Sequence, residues 1–232
     1  MNSADTAPPG KVQLSRRELR LICRRLLVAH DAPAGIISAV TESMVDGIAL
    51  GLPVLDIGAA DLGLPGSLAD HRSPDWAVRG NDLTVIGSGQ WAPMLVPALA
   101  DIVRMAAARH NISRVNVVDV RNGAALEAVR GRLSRAGFVL TPLEPGTSWS
   151  MSRGDDLDFH DAEHQLLFDG ITFTRDSWLA MYRASLRGLT PESEESFRHA
   201  GYVDEHGELI EGMDDDHDIE AALSSLAPSQ NA

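Results

Sequence analysis

The chain of 232 residues is 44% hydrophobic and carries 20 Lys and Arg against 33 Asp and Glu, a net charge of −13, with one cysteine. That length and apolar content suffice for one substantial core. The acidic excess argues against a nucleic-acid surface, which needs clustered cations, and a lone cysteine excludes an internal disulfide and a cysteine-built zinc site.

No apolar run reaches the length of a membrane span, and residues 1–10 are polar and proline-containing, without a charged-then-apolar leader. The expectation is a cytoplasmic protein with no membrane and no nucleic-acid partner. It divides into a disordered N-terminus over 1–11, a single α+β domain over 12–202 and an acidic C-terminal tail over 203–232. The tail is where Asp204, Glu205, Glu208, Glu211 and Asp214 to Asp216 crowd together, while Lys11, Arg16, Arg17, Arg20, Arg24 and Arg25 collect near the start.

In chain order, residues 14–29 read as a helix. Ser15 and Glu18 have capping-box spacing, Leu19, Ile22, Cys23 and Leu26 form the apolar face, and arginines occupy the other sides. Cys23 is either a small core residue or, with Arg20 and Arg24 nearby, an activated thiol. A second helix is expected over 34–50 and a short strand over 54–57. The irregular 58–75 segment contains His71, read as a surface residue. A strand over 83–86 leads through Gly87-Ser88-Gly89-Gln90-Trp91 into a helix over 93–110. Such a glycine-rich strand-to-helix turn is a weak phosphate-cradle signal, since it lacks the third glycine and the Lys-Ser/Thr pair. Residues 115–120, 137–140 and 147–151 read as strands, with a helix over 123–136 between the first two.

The stretch from His160 to Trp178 reads as a hairpin. Residues 165–168 and 171–174 are its strands and Asp169-Gly170 its turn, so that Asp176 returns to the level of His164. A helix to Leu186 and another starting at Pro191, capped by Thr190, complete the elements. The fold expected is α+β, with N-terminal helices packed on a mostly antiparallel sheet.

His164, the turn and Asp176-Ser177-Trp178, with Cys23 on an early helix, resemble the papain-like cysteine protease and acyltransferase superfamily. The aspartate in the orienting place is as in its transglutaminase and arylamine acetyltransferase branches. The resemblance implies Cys23 as nucleophile, His164 as base with His160 as the alternative, and Asp176 fixing the imidazole tautomer. Arg20 and Arg24 would then receive the substrate or an acidic carrier. His160, Glu163 and His164 also spell H-x-x-E-H, similar to the inverted zinc-protease signature; that motif needs a helix, which the expected hairpin denies, so no metal is expected.

The chain's size, its single thiol and its lack of an ATP motif resemble the stand-alone amide-forming condensation enzymes of lincosamide-type antibiotic biosynthesis, which join a carrier-bound aminoacyl group to an amine. The termini, including 178–196, resemble an uncharacterised bacterial domain family. The strand, helix, Ala136-Gly137-Phe138, strand passage resembles the second half of an acetyl-CoA-dependent N-acetyltransferase. The function these imply is cofactor-free, cysteine-dependent acyl transfer or amide formation, with a small-molecule amine, an acyl substrate and an acidic carrier protein as partners. The alternatives are a non-catalytic binding or scaffold module, or an N-acetyltransferase-like enzyme lacking the usual pyrophosphate loop.

Overall fold

The computed structural model describes residues 10–55, 64, 66–188 and the strand residues 202–203 and 209–210. It forms two compact units, Met1–Gly188 and Leu189–Ala232. The first is α+β: strand β1 (Lys11–Leu14), helices α1 (Arg16–Ala29) and α2 (Ala34–Ala49), strands β2 (Asp75–Arg79) and β3 (Asp82–Trp91), then helix α3 (Ala92–Arg109). Strand β4 (Arg114–Arg121) runs into a 3₁₀ turn (Gly123–Ala128) and helix α4 (Val129–Ser134). Strands β5 (Phe138–Glu144) and β6 (Ser148–Arg153), helix α5 (Leu157–Phe168), strand β7 (Ile171–Thr174) and helix α6 (Arg175–Leu186) follow. In the second unit, β8 (Tyr202–Val203) pairs antiparallel with β9 (Leu209–Ile210), so the stretch read as a plain acidic tail contains a short two-stranded pairing. The helix expected at Pro191 lies outside the described residues.

The central sheet has the order β2-β3-β4-β6-β5, with β3 and β4 parallel and the other three pairings antiparallel. Alternation sets its faces. Leu83 and Val85 of β3 and Val115 and Val117 of β4 are buried, while Ile86 and Val118, opposite each other in the register, face outward. Helix α3, the crossover between the two parallel strands, lies against them. In this α+β arrangement α2 packs against α1, α3, the 3₁₀ turn, α4 and α5, and α1 against α2 and α6. The strand expected over 54–57 is not formed at Val54 and Leu55, which are buried without strand pairing; residues 56–57 lie outside the described residues.

Local chemistry explains the element ends. Ser15 and Glu18 make the capping box: Ser15 Oγ accepts from the Glu18 N–H at 3.3 Å, and the Glu18 carboxylate accepts from the Ser15 N–H at 2.8 Å. The hairpin expected over 165–174 is overturned. Residues 157–168 are helical because Asp156 caps them, its carboxylate accepting from the Phe159 N–H at 3.1 Å, and because Phe159 and Leu166, two turns apart, both point into the core. Gly170, at φ +69°, is the left-handed residue that ends α5 rather than part of a two-residue hairpin turn. Strand β7 therefore finds a different partner, β1, with Leu14 opposite Ile171 and Lys11 opposite Thr174.

Ion pairs stitch the helical layer. Arg135 donates to both oxygens of buried Asp46, at 2.9 and 2.8 Å, and to Glu163 at 2.6 Å. Arg16 bridges Glu163 at 3.8 Å and Glu42 at 3.2 Å. Burial pushes the Asp46 carboxyl up from its ordinary value and the Arg135 hydrogen bonds oppose that, while the Arg135 guanidinium is held more firmly charged by the same bonds.

Candidate functional site

Among the described residues no hydrogen bond or ion pair joins Cys23, His164 and Asp176. Cys23 is fully buried in the core with Leu19, Leu26 and Leu27 of its own helix. Burial, with the charge of Glu42 adding to it, pushes its thiol up to about 12, so the side chain is neutral at pH 7 and lacks the thiolate a nucleophile needs. Among the described residues no hydrogen bond joins it to a histidine. His164 is exposed on α5 with its ring centroid 4.4 Å from that of Phe168, one turn on. His160 Nε2 lies 3.3 Å from Ser134 Oγ.

Asp176 is exposed in the first turn of α6, where it suits the helix dipole. The cap of that helix is Thr174, whose Oγ1 accepts from the Ser177 N–H at 3.1 Å. With residues 165–168 helical, no strand pairing brings Asp176 to His164.

His160, Glu163 and His164 do share a helix, contrary to expectation and as the zinc signature requires. Glu163 is taken by Arg135 and Arg16, however, and among the described residues no three His, Cys, Asp or Glu side chains converge. Arg20 is held by Glu42 at 2.5 Å, while Arg24 has no acidic partner among the described residues.

The structure instead builds a cleft at the carboxyl ends of the parallel pair β3 and β4, where the sequence carries its glycine-rich turn. Ile86 pairs with Val118 and Gln90 with Val120, so residues 87–89 stand against Asp119 alone. The bulge requires left-handed backbone at Ser88 (φ 53°), Gly89 (φ 69°) and Asp119 (φ 55°). Gly87 is required by proximity: a Cβ there would lie 2.8 Å from the Asp119 carbonyl oxygen.

After the bulge, Gln90 and Trp91 are 6% and 2% exposed, and Trp91 is the residue from which α3 springs. The opposite wall is residues 67–72. It is fastened by the Leu68 N–H donating to the His30 carbonyl at 2.6 Å and by the Arg72 N–H donating to Gln90 Oε1 at 3.3 Å.

The half-open cleft measures about 230 Å³, room for several waters or a small molecule. Its polar groups are mostly donors. Gln90 Nε2 and Trp91 Nε1 are buried and, among the described residues, neither they nor His71 Nδ1 have a hydrogen-bond partner. Arg72 and Arg121 line the cavity with no carboxylate at ion-pair distance among the described residues; Asp70 is its one acid. Met94, in the first turn of α3, brings in a helix end that has no side-chain cap and whose dipole favours an anion.

His71 is thus a half-buried lining residue and not the plain surface residue its sequence context suggested. Gln90 and Trp91 were legible only through the Gly87 to Trp91 turn, and Arg72 and Arg121 were not legible, because they come from separate segments. No family model and no curated protein matches the chain.

Proposed function

We propose that the protein is a binding module, or the binding half of an enzyme, that takes a small anionic molecule in the β3–α3 cleft. The ligand carries a carboxylate or phosphate head for Gln90, Trp91, Arg72 and Arg121, and a hydroxyl or amino group for Asp70. One observation supports this reading: two buried donors of cleft-lining residues, Gln90 Nε2 and Trp91 Nε1, have no acceptor among the described residues. An unsatisfied buried donor costs about 1–3 kcal/mol, which a ligand oxygen recovers on binding. The position is also where open sheets with parallel strands receive ligands, outside the strand carboxyl ends beside a helix N-terminus.

A second reading, N-acetyltransferase-like acyl transfer, is favoured by the passage β4, 3₁₀ turn, α4, β5, which keeps the strand, helix, strand order of the resemblance beside this cleft. In that reading the anion is the phosphate of an acyl-coenzyme A. The re-formed pairings Gln90 with Val120 and Trp91 with Arg121 close the strand pair beyond the bulge, which favours a small ligand over an extended one. Isothermal titration with short hydroxy- and amino-carboxylates, inorganic phosphate and coenzyme A tests both. Saturable binding of a small anion that is lost in Arg121→Ala supports the first reading, and binding confined to coenzyme A supports the second. Heats that are absent throughout, or indifferent to Arg121→Ala, contradict the site.

A further inference from the structure

A second concavity, about 570 Å³, lies on the outer face of α1 and α2, away from the cleft residues. On α1 it is lined by Arg17, Leu21, Arg24 and Val28, spaced four, three and four residues apart, which is the repeat of a helix-packing seam. Leu21 is 47% and Val28 44% exposed, so this stripe is apolar yet uncovered among the described residues. On α2 the facing positions Ala34, Ile37 and Thr41 repeat at three and four, and the small side chains leave room for a close helix backbone. Thr41 is 5% exposed and its Oγ1 makes no hydrogen bond.

We infer that this groove docks an acidic amphipathic helix of a partner protein. The shape argues for a helix: Arg17 to Val28 spans about 16 Å at 1.5 Å per residue, three turns, and an antiparallel helix pair with an unfilled seam is completed by a third helix. The charge argues for acid. Arg17 and Arg24 flank Leu21 on the same stripe and neither has a carboxylate at ion-pair distance among the described residues, while the two acids of the lining are engaged, Glu18 by the Ser15 cap and Glu42 by Arg16 and Arg20. The partner helix presents apolar residues at three- and four-residue spacing, seated over Leu21, Val28 and Ile37, with carboxylates one turn apart from them facing Arg17 and Arg24.

The test is fluorescence anisotropy on the full-length protein with a labelled helical peptide of about four turns, leucines at the seam positions and glutamates flanking them. Binding is expected to weaken roughly tenfold or more in the Arg17→Glu/Arg24→Glu variant and in Leu21→Asp. A lysine-flanked version of the peptide should bind the charge-reversed variant in preference to the native chain. All three positions are exposed, so matching circular dichroism melts verify the fold. No binding by the glutamate peptide, or binding unaffected by charge reversal, overturns the inference. A concentration-dependent dimer that Leu21→Asp dissolves also overturns it, because the face then belongs to a second copy.

Discussion

Gln90 and Cys23 are both buried polar-capable residues, and the difference between them separates site from core. Gln90 satisfies one end of its amide with the Arg72 N–H and leaves the other end buried beside the cleft without a partner among the described residues. Cys23 is sealed, and as a small weakly polar group it loses little by burial. A thiol raised to about 12 and closed off from solvent reacts only when the helix opens. Ellman's reagent at pH 8 is therefore expected to label the folded protein at least about a hundredfold more slowly than the denatured chain. Prompt labelling of the native state would restore Cys23 as a reactive group. Cys23→Ala should cost about 1–2 kcal/mol in urea unfolding through the small cavity it leaves.

The contacts that hold α4, α5 and α2 together give two predictions about elements. Asp156 caps α5 and receives two hydrogen bonds from Arg130, each 2.8 Å long. Burial alone would raise its carboxyl, but the Arg130 guanidinium and the Phe159 N–H outweigh that and hold it below the ordinary 3.8. A depressed carboxylate contributes stability above its unfolded value and loses it as pH falls through the lower folded one, so the loss falls below about pH 4. Asp156→Asn keeps a capping oxygen and removes the charged pair. The variant should be less stable by about 1–3 kcal/mol at pH 7 and should lack this acid-limb loss in urea unfolding followed from pH 7 to 2. Equal stability of the two proteins at pH 7 would show the pair to be neutral in effect.

Gly131 of α4 is the second case. A Cβ there would lie 2.7 Å from both Asp46 Oδ2 and Phe159 Cε2. Gly131→Ala gains about 1 kcal/mol of helix propensity, yet it must displace a carboxylate pinned by Arg135 and a buried ring. A net loss of about 1–3 kcal/mol is expected in thermal or urea unfolding.

The sequence made some elements plain and hid others for identifiable reasons. α1 was readable because the Ser15–Glu18 box and the Leu19, Ile22, Cys23, Leu26 stripe agree. α5 was hidden because residues 165–168 precede Asp169-Gly170, a pair that serves equally as a helix stop and as a hairpin turn. The deciding contact, Asp156 with Arg130, joins residues 26 apart in sequence.

At the scale of the whole molecule, the α+β class follows from helix-period patterning early in the chain and strand patterning later. The strand order β2-β3-β4-β6-β5 does not, because β6 enters between β4 and β5 by contacts that no local pattern encodes. The candidate site was half legible. Its glycine-rich turn stood out, whereas His71, Arg72 and Arg121 come from a loop and a second strand that only the folded chain brings to Gln90 and Trp91.

The same long-range assembly leaves the donors unpaired among the described residues, and under the proposed function the cleft takes an anion at some expense to the stability of the free protein. Gln90→Met tests it most directly, since it keeps the volume and removes the orphaned donor, losing besides only the long 3.3 Å hydrogen bond from the N–H of exposed Arg72, which water can replace. The account predicts that the variant melts no lower than the native chain when free, yet binds the small anion identified by titration at least about tenfold more weakly. A variant that melts several degrees lower while binding that anion with unchanged affinity would contradict it.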